Sequence, residues 1–153
     1  MKEFDYSLDY KTLDFTNSDT KKLYRIGRGE QGVLLVRPYT EDICQYWRFR
    51  NEVTARKSAA QIYKMFLVYT RERDFIGMDM ARKFLEMGFT RARRYANHSS
   101  GKKYSKTGEV LPQDKDALTC EKARAATIFK EYRDLVTKDP EYVKMRKDWR
   151  ASE

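Results

Sequence analysis

A chain of 153 residues, 41% hydrophobic and 14% aromatic, is too apolar to stay disordered and long enough to bury a core without disulfides, so a single domain over residues 1–153 is expected. Thirty-two Lys and Arg against 23 Asp and Glu leave a net charge of +9, which favours nucleic acid, an anionic surface or an acidic protein as partner. No run approaches the length of a membrane span, and MKEFDYSLDY carries acids where a signal peptide has its apolar region, so a cytoplasmic location without membrane insertion is expected.

Residues 1–20 form an acidic, aromatic arm, with two basic residues against five acids, a net of −3. Phe4, Tyr6, Leu8 and Tyr10 alternate with Asp5, Ser7 and Asp9, and period two predicts a strand or extended arm. Residues 22–39 read as strand, glycine turn, strand. Gly27, Gly29 and Gly32 match a GxGxxG pattern, but a dinucleotide fold needs a helix to follow, and Val33, Leu34, Leu35 and Val36 follow instead. A kinase-like loop needs a His-Arg-Asp and an Asp-Phe-Gly motif that the chain lacks. A tight hairpin is expected, its amides and Arg28 leaving an anion site open.

A short helix is expected from Thr40, with Thr40 as its cap. Trp47, Arg48, Phe49 and Arg50 follow as an aromatic and basic junction, able to clamp bases or to supply core aromatics. Ala55, Ala59, Ile62, Tyr63, Phe66 and Leu67 recur at helical spacing and predict a helix from near Glu52 to near Arg71. It forms a helical hairpin with the next element.

That next element, within residues 77–106, organises the rest. Ala81, Phe84, Leu85, Gly88, Phe89, Ala92, Tyr95 and Ala96 make one stripe at about 100° per residue. The opposite arc carries Arg82, Lys83, Arg93 and Arg94, and the loop beyond adds Lys102, Lys103 and Lys106. Asp79 stands at ion-pair spacing from Arg82 and Lys83. Residues 99–116 read as a basic, polar loop. Leu118, Ala125, Ile128, Phe129, Tyr132 and Val136 mark a further helix, and Asp139-Pro140 opens a last one within residues 117–150. The elements predict an α+β chain, predominantly α: a helical core at 41–98, an N-terminal extended arm and one small β-hairpin.

The segments FDYSLDY, LYRIGRGEQGVLLVRPY, ARKSAAQIY and above all GMDMARKFLEMGFTRARRYANH resemble a small family, domain of unknown function 4385, from bacteria, phages and fungi. The resemblance covers most of the chain and implies one compact domain, with no activity to carry over. The SSGKKY loop departs from it, with Ser99 and Ser100 where a more basic, glycine-rich pair is expected.

For catalysis the candidates are His98, Asp79 and Glu30, none within a complete acid-base or nucleophile motif. Cys44 and Cys120 sit in no ligand spacing, and neither a metal nor a cofactor is expected. The anion-binding candidates are Arg28, Arg82, Lys83, Arg93, Arg94, Lys102, Lys103 and Lys106. They point to binding of nucleic acid or another phosphate-rich polyanion without sequence specificity. Two alternatives stand beside it: an enzyme acting on a phosphorylated substrate through the 27–32 hairpin and His98, and an adaptor for an acidic protein. Convergence of that hairpin and His98 on one cleft would favour the enzyme.

Overall fold

The structure, a computed structural model, describes residues 2–98 and 101–153. Ser99 and Ser100, where the basic loop was expected to begin, lie outside the described residues. Among the described residues six α-helices follow one another: α1 (Ser18–Lys21), α2 (Tyr39–Cys44), α3 (Glu52–Arg71), α4 (Phe75–Asn97), α5 (Glu121–Lys138) and α6 (Pro140–Ser152). Local chemistry sets the ends of the long ones. Asn51 and Thr54 form a reciprocal capping box at the start of α3, Asp74 accepts from the Gly77 amide at the start of α4, and Asp139 accepts from the Glu141 and Tyr142 amides ahead of Pro140.

The chain is all-helical among the described residues, which corrects the expected α+β class. The sole β pairing there is an isolated antiparallel bridge between Tyr104 and Val110. The hairpin expected at 22–39 is a run of tight turns. Its amides bond locally, Gln31 to the Arg28 carbonyl, Val33 to Glu30 and Leu35 to Gly32, so no ladder remains to be built. Gly27, Gly29 and Gly32 all take positive φ, +69°, +54° and +78°, and turn the chain repeatedly where a hairpin needs a single reversal. A Cβ at Gly32 would lie 2.1 Å from the Phe4 ring, so the turn and the arm pack as one piece.

The N-terminal arm is not extended either. Asp5 and Asp14 each accept from the amide and hydroxyl two residues on, at Ser7 and Thr16, and these Asx turns fold the chain back on itself. Phe4 and Tyr10 are buried while Tyr6 is 59% exposed, which breaks the two-residue period. Thr40 is no cap: α2 starts one residue earlier, and the buried Thr40 hydroxyl donates to the Val33 and Val36 carbonyls.

Helix α4 is the axis of the fold. It packs against α3 and α5, with α2 and α6 also in contact, and every residue from Phe75 to Leu85 is buried. Its one apolar stripe therefore widens to the full circumference over the first half. At Gly88 the α5 ring of Phe129 comes so close that a Cβ would lie 2.4 Å from it. Gly88→Val is expected to destabilise the protein by about 1–3 kcal/mol or more through overpacking; an unchanged urea midpoint would contradict this close approach. Helix α6 docks through Tyr142, which is buried, and through Trp149, whose ring stacks on Phe75 at 5.2 Å. No helix is long and apolar enough to cross a membrane among the described residues.

Candidate functional site

Helix α4 divides its charges into two sets with different surroundings. The first, one to two turns into the helix, is Asp79, Arg82 and Lys83, with relative exposures of 0%, 8% and 0%. Arg82 Nε donates to Asp79 Oδ1 at 2.8 Å, and Lys83 Nζ stands 3.9 Å from Oδ2. The Tyr142 hydroxyl donates to Oδ1 at 2.6 Å, and the Tyr24 hydroxyl donates to Oδ2. One carboxylate thus joins α4, α6 and the segment after α1.

The cations of this set reach outward to the glycine turn by its carbonyls. Arg82 donates to the Gly29 oxygen at 2.8 Å and Lys83 to the Gln31 oxygen at 2.6 Å, while Arg150 from α6 donates to the Gly27 oxygen at 2.8 Å. The Lys83 ammonium also lies 5.0 Å from the Phe4 ring centre and 4.9 Å from that of Tyr24. Arg82 and Lys83 were expected on a solvated arc. The structure corrects this: the 24–36 segment and the arm cover that face, and both cations are consumed in holding the turn.

Electrostatics follow from this burial. Loss of water alone would raise the Asp79 carboxyl, but Arg82 and Lys83, with the hydrogen bonds from Arg82 and Tyr142, hold it down to about 2. Burial pushes the Lys83 ammonium down to about 7, against the pull of Asp79. Tyr24 and Tyr142 are raised, by burial first and by the Asp79 charge second.

The second set lies at the outer end of α4. Arg94, Lys103 and Lys106 are exposed, and none pairs with a carboxylate among the described residues. Cations suit this position because the C-terminal end of a helix carries partial negative charge. Arg93 is half-buried and committed inward, its Nε donating to Asn97 at 3.0 Å and its Nη2 to the Ala117 carbonyl. Lys102 has a partner of its own. Arg28 stands away from this end, paired at 3.1 Å with Glu3.

The last turns of α4 and the segment around the Tyr104–Val110 bridge enclose a groove of about 350 Å³, with Arg94 and Lys103 among its lining. His98 lines it too. Nearly buried at 7% exposure, the residue stands 3.1 Å through Nδ1 from the Pro112 carbonyl, which tethers the segment to the helix end. Residues 28 and 30–35 line a different depression, with Tyr6, Met87 and Arg91. Glu30 of that depression accepts from Thr90 of the groove at 2.8 Å, but the two have no lining residue in common. Glycine turn and histidine therefore do not face one cleft, and Asp79 is sealed from solvent.

The aromatic and basic junction belongs mostly to the core. Trp47 packs 6.3 Å from Phe84, and Arg48 turns back to the Cys44 and Trp47 carbonyls. Phe49 meets Tyr95 at 6.1 Å, with Lys122 from α5 over both rings. Sequence reasoning missed Tyr24, Tyr142 and Arg150 as partners of the α4 charges, and Val110, Leu111 and Gln113 as the far wall of the groove. The first omission had a visible signal: Ile76, Met78 and Met80 flank Asp79 on faces that a one-sided helix would leave wet. Cys44 and Cys120 are free, half-buried thiols. No cluster of three His, Cys, Asp or Glu suits a metal among the described residues.

A family model described as Domain of unknown function (DUF4385) matches residues 5–152. No curated protein and no solved structure matches the chain.

Proposed function

Since the chain belongs to the DUF4385 family over almost its whole length, and that description carries no activity, we propose from the site alone that this is a cytoplasmic protein binding nucleic acid or a similar phosphate-bearing polyanion through the outer end of α4. The observation that supports the reading is the trio Arg94, Lys103 and Lys106, exposed and free of carboxylate partners among the described residues. Unpaired surface cations cost nothing to redirect toward phosphate, whereas Arg82 and Lys83 would have to abandon buried carbonyls. Contacts of this kind go to the backbone and carry no sequence preference.

Three neutralised phosphates set the expected salt dependence. Log affinity for duplex DNA should fall with log salt at a slope of about −3. Arg94→Ala with Lys103→Ala should weaken binding to all sequences alike and make the slope shallower by about two. Fluorescence anisotropy over a salt series measures both. A slope near zero, or a double variant that binds as the wild type does, would remove the support for this reading.

A further inference from the structure

We propose that the groove between the end of α4 and residues 103–111 receives an unstacked nucleobase, so that the protein prefers single-stranded nucleic acid to duplex; the inference rests on the polyanion reading above and specifies its ligand. The groove is not simply a charged slot. Phe89, Val110 and Leu111 give its lining apolar surface, Gln113 adds an amide, and Arg94 and Lys103 supply the charge. A bare polyphosphate would use the cations and leave that apolar surface in water. A nucleotide with its base swung inward covers it while its phosphates meet the cations. Bases held in a duplex are stacked and paired, and cannot enter.

The bridge extends the platform. Tyr104 and Val110 are directly opposed in an antiparallel pair, so their side chains lie on the same face. Val110 lines the groove, and Tyr104 stands on the same face beside it. Both are exposed, at 55% and 66%, although the segment is pinned by the Ser105 amide to the Glu109 carbonyl and the Leu111 amide to the Lys103 carbonyl. Lys103 already holds its ammonium 5.7 Å from the Tyr104 ring centre, placing a phosphate ligand beside a stacking face. A second base can stack there as the strand leaves the groove.

The test is a competition at one low salt concentration, with a fluorescein-labelled thymidine oligonucleotide displaced by unlabelled single strand, by duplex of the same length, and by inorganic polyphosphate. Single strand is expected to compete about tenfold better than duplex, the scale of one stacked base. Val110→Ser together with Tyr104→Ala should abolish that preference and leave polyphosphate affinity unchanged, whereas Tyr104→Ala alone should reduce it and Tyr104→Phe should retain it in full. Both side chains are exposed, so none of these variants threatens folding. Equal competition by duplex and single strand, or a preference that survives the double variant, overturns the inference while salt-dependent binding of duplex and polyphosphate would leave the polyanion reading standing. Binding to none of the three overturns both.

Discussion

Replacing Asp79 by Asn is expected to destabilise the protein by about 3–5 kcal/mol, because it leaves a buried guanidinium and a buried ammonium without their counter-charge. The magnitude separates two accounts of the same residue. An ion pair on an exposed helix face would cost at most about 1 kcal/mol on removal. Asp79 instead accepts hydrogen bonds from Arg82, Tyr142 and Tyr24 at zero exposure, and the two tyrosines bring α6 and the segment after α1 onto α4. For a domain of this size each kcal/mol lowers Tm by roughly 2–4 °C, so a fall of about 10 °C is expected. Thermal unfolding followed by circular dichroism checks it, and a shift under about 3 °C would mean that the cluster is solvated.

Stability is also expected to rise with pH between about 7 and 10. Burial holds the folded-state Lys83 ammonium down at about 7, with the Arg82 and Arg150 charges adding to the depression and Asp79 opposing it. In the unfolded chain the same group keeps its ordinary value of 10.5. Between these values the unfolded chain holds a proton that the folded protein has released, so raising the pH favours folding, by at most about 1.4 kcal/mol per unit. Below 7 both states are protonated and the cost of burying the charge is fully present. Above about 10 the trend reverses, because Tyr24 and Tyr142 keep protons that the unfolded chain loses. Asp79, held at about 2, stays ionised throughout this window and weakens the fold only in strong acid. Urea unfolding across the window should show the rise in the wild type and not in Lys83→Met. A flat wild-type profile, or a rise that persists in the variant, would contradict a buried ammonium.

Much of the helical scaffold was legible in the sequence because its signals are local. The apolar residues of α3 and α4 recur at helical spacing and Asp139 with Pro140 marks the start of α6, whereas the caps at Asn51, Thr54 and Asp74 emerged only with the structure. The glycine segment was misjudged for the opposite reason. Val33 and Val36 are buried as strand residues would be, but they plug the core from consecutive turns, a distinction that depends on where their amides bond. The same limit applied to α4. A helical wheel separates one face from another without saying how many faces find neighbours, and the 24–36 segment that covers Arg82 and Lys83 is some fifty residues away in sequence.

The outer end of α4 was easier to read, since Arg94, Lys103 and Lys106 have few acids near them along the chain. Its groove was not, because the far wall depends on the Tyr104–Val110 bridge and on the contact of His98 with the Pro112 carbonyl. These are meetings between residues six and fourteen apart, with no helical or alternating period to announce them. His98, a candidate base in the sequence with a packed or capping histidine as the bland alternative, lines the groove and meets the Pro112 carbonyl.

The division of α4 into a sealed structural cluster and a proposed binding end can be measured residue by residue. In an amide NMR titration of the full-length protein with a short single-stranded oligonucleotide, the shifts should concentrate at Arg94, Lys103, Tyr104 and Lys106 and their neighbours, leaving Gly29, Gln31, Arg82 and Lys83 in place. Shifts centred on the glycine turn and Lys83, or none anywhere at low salt, would contradict it.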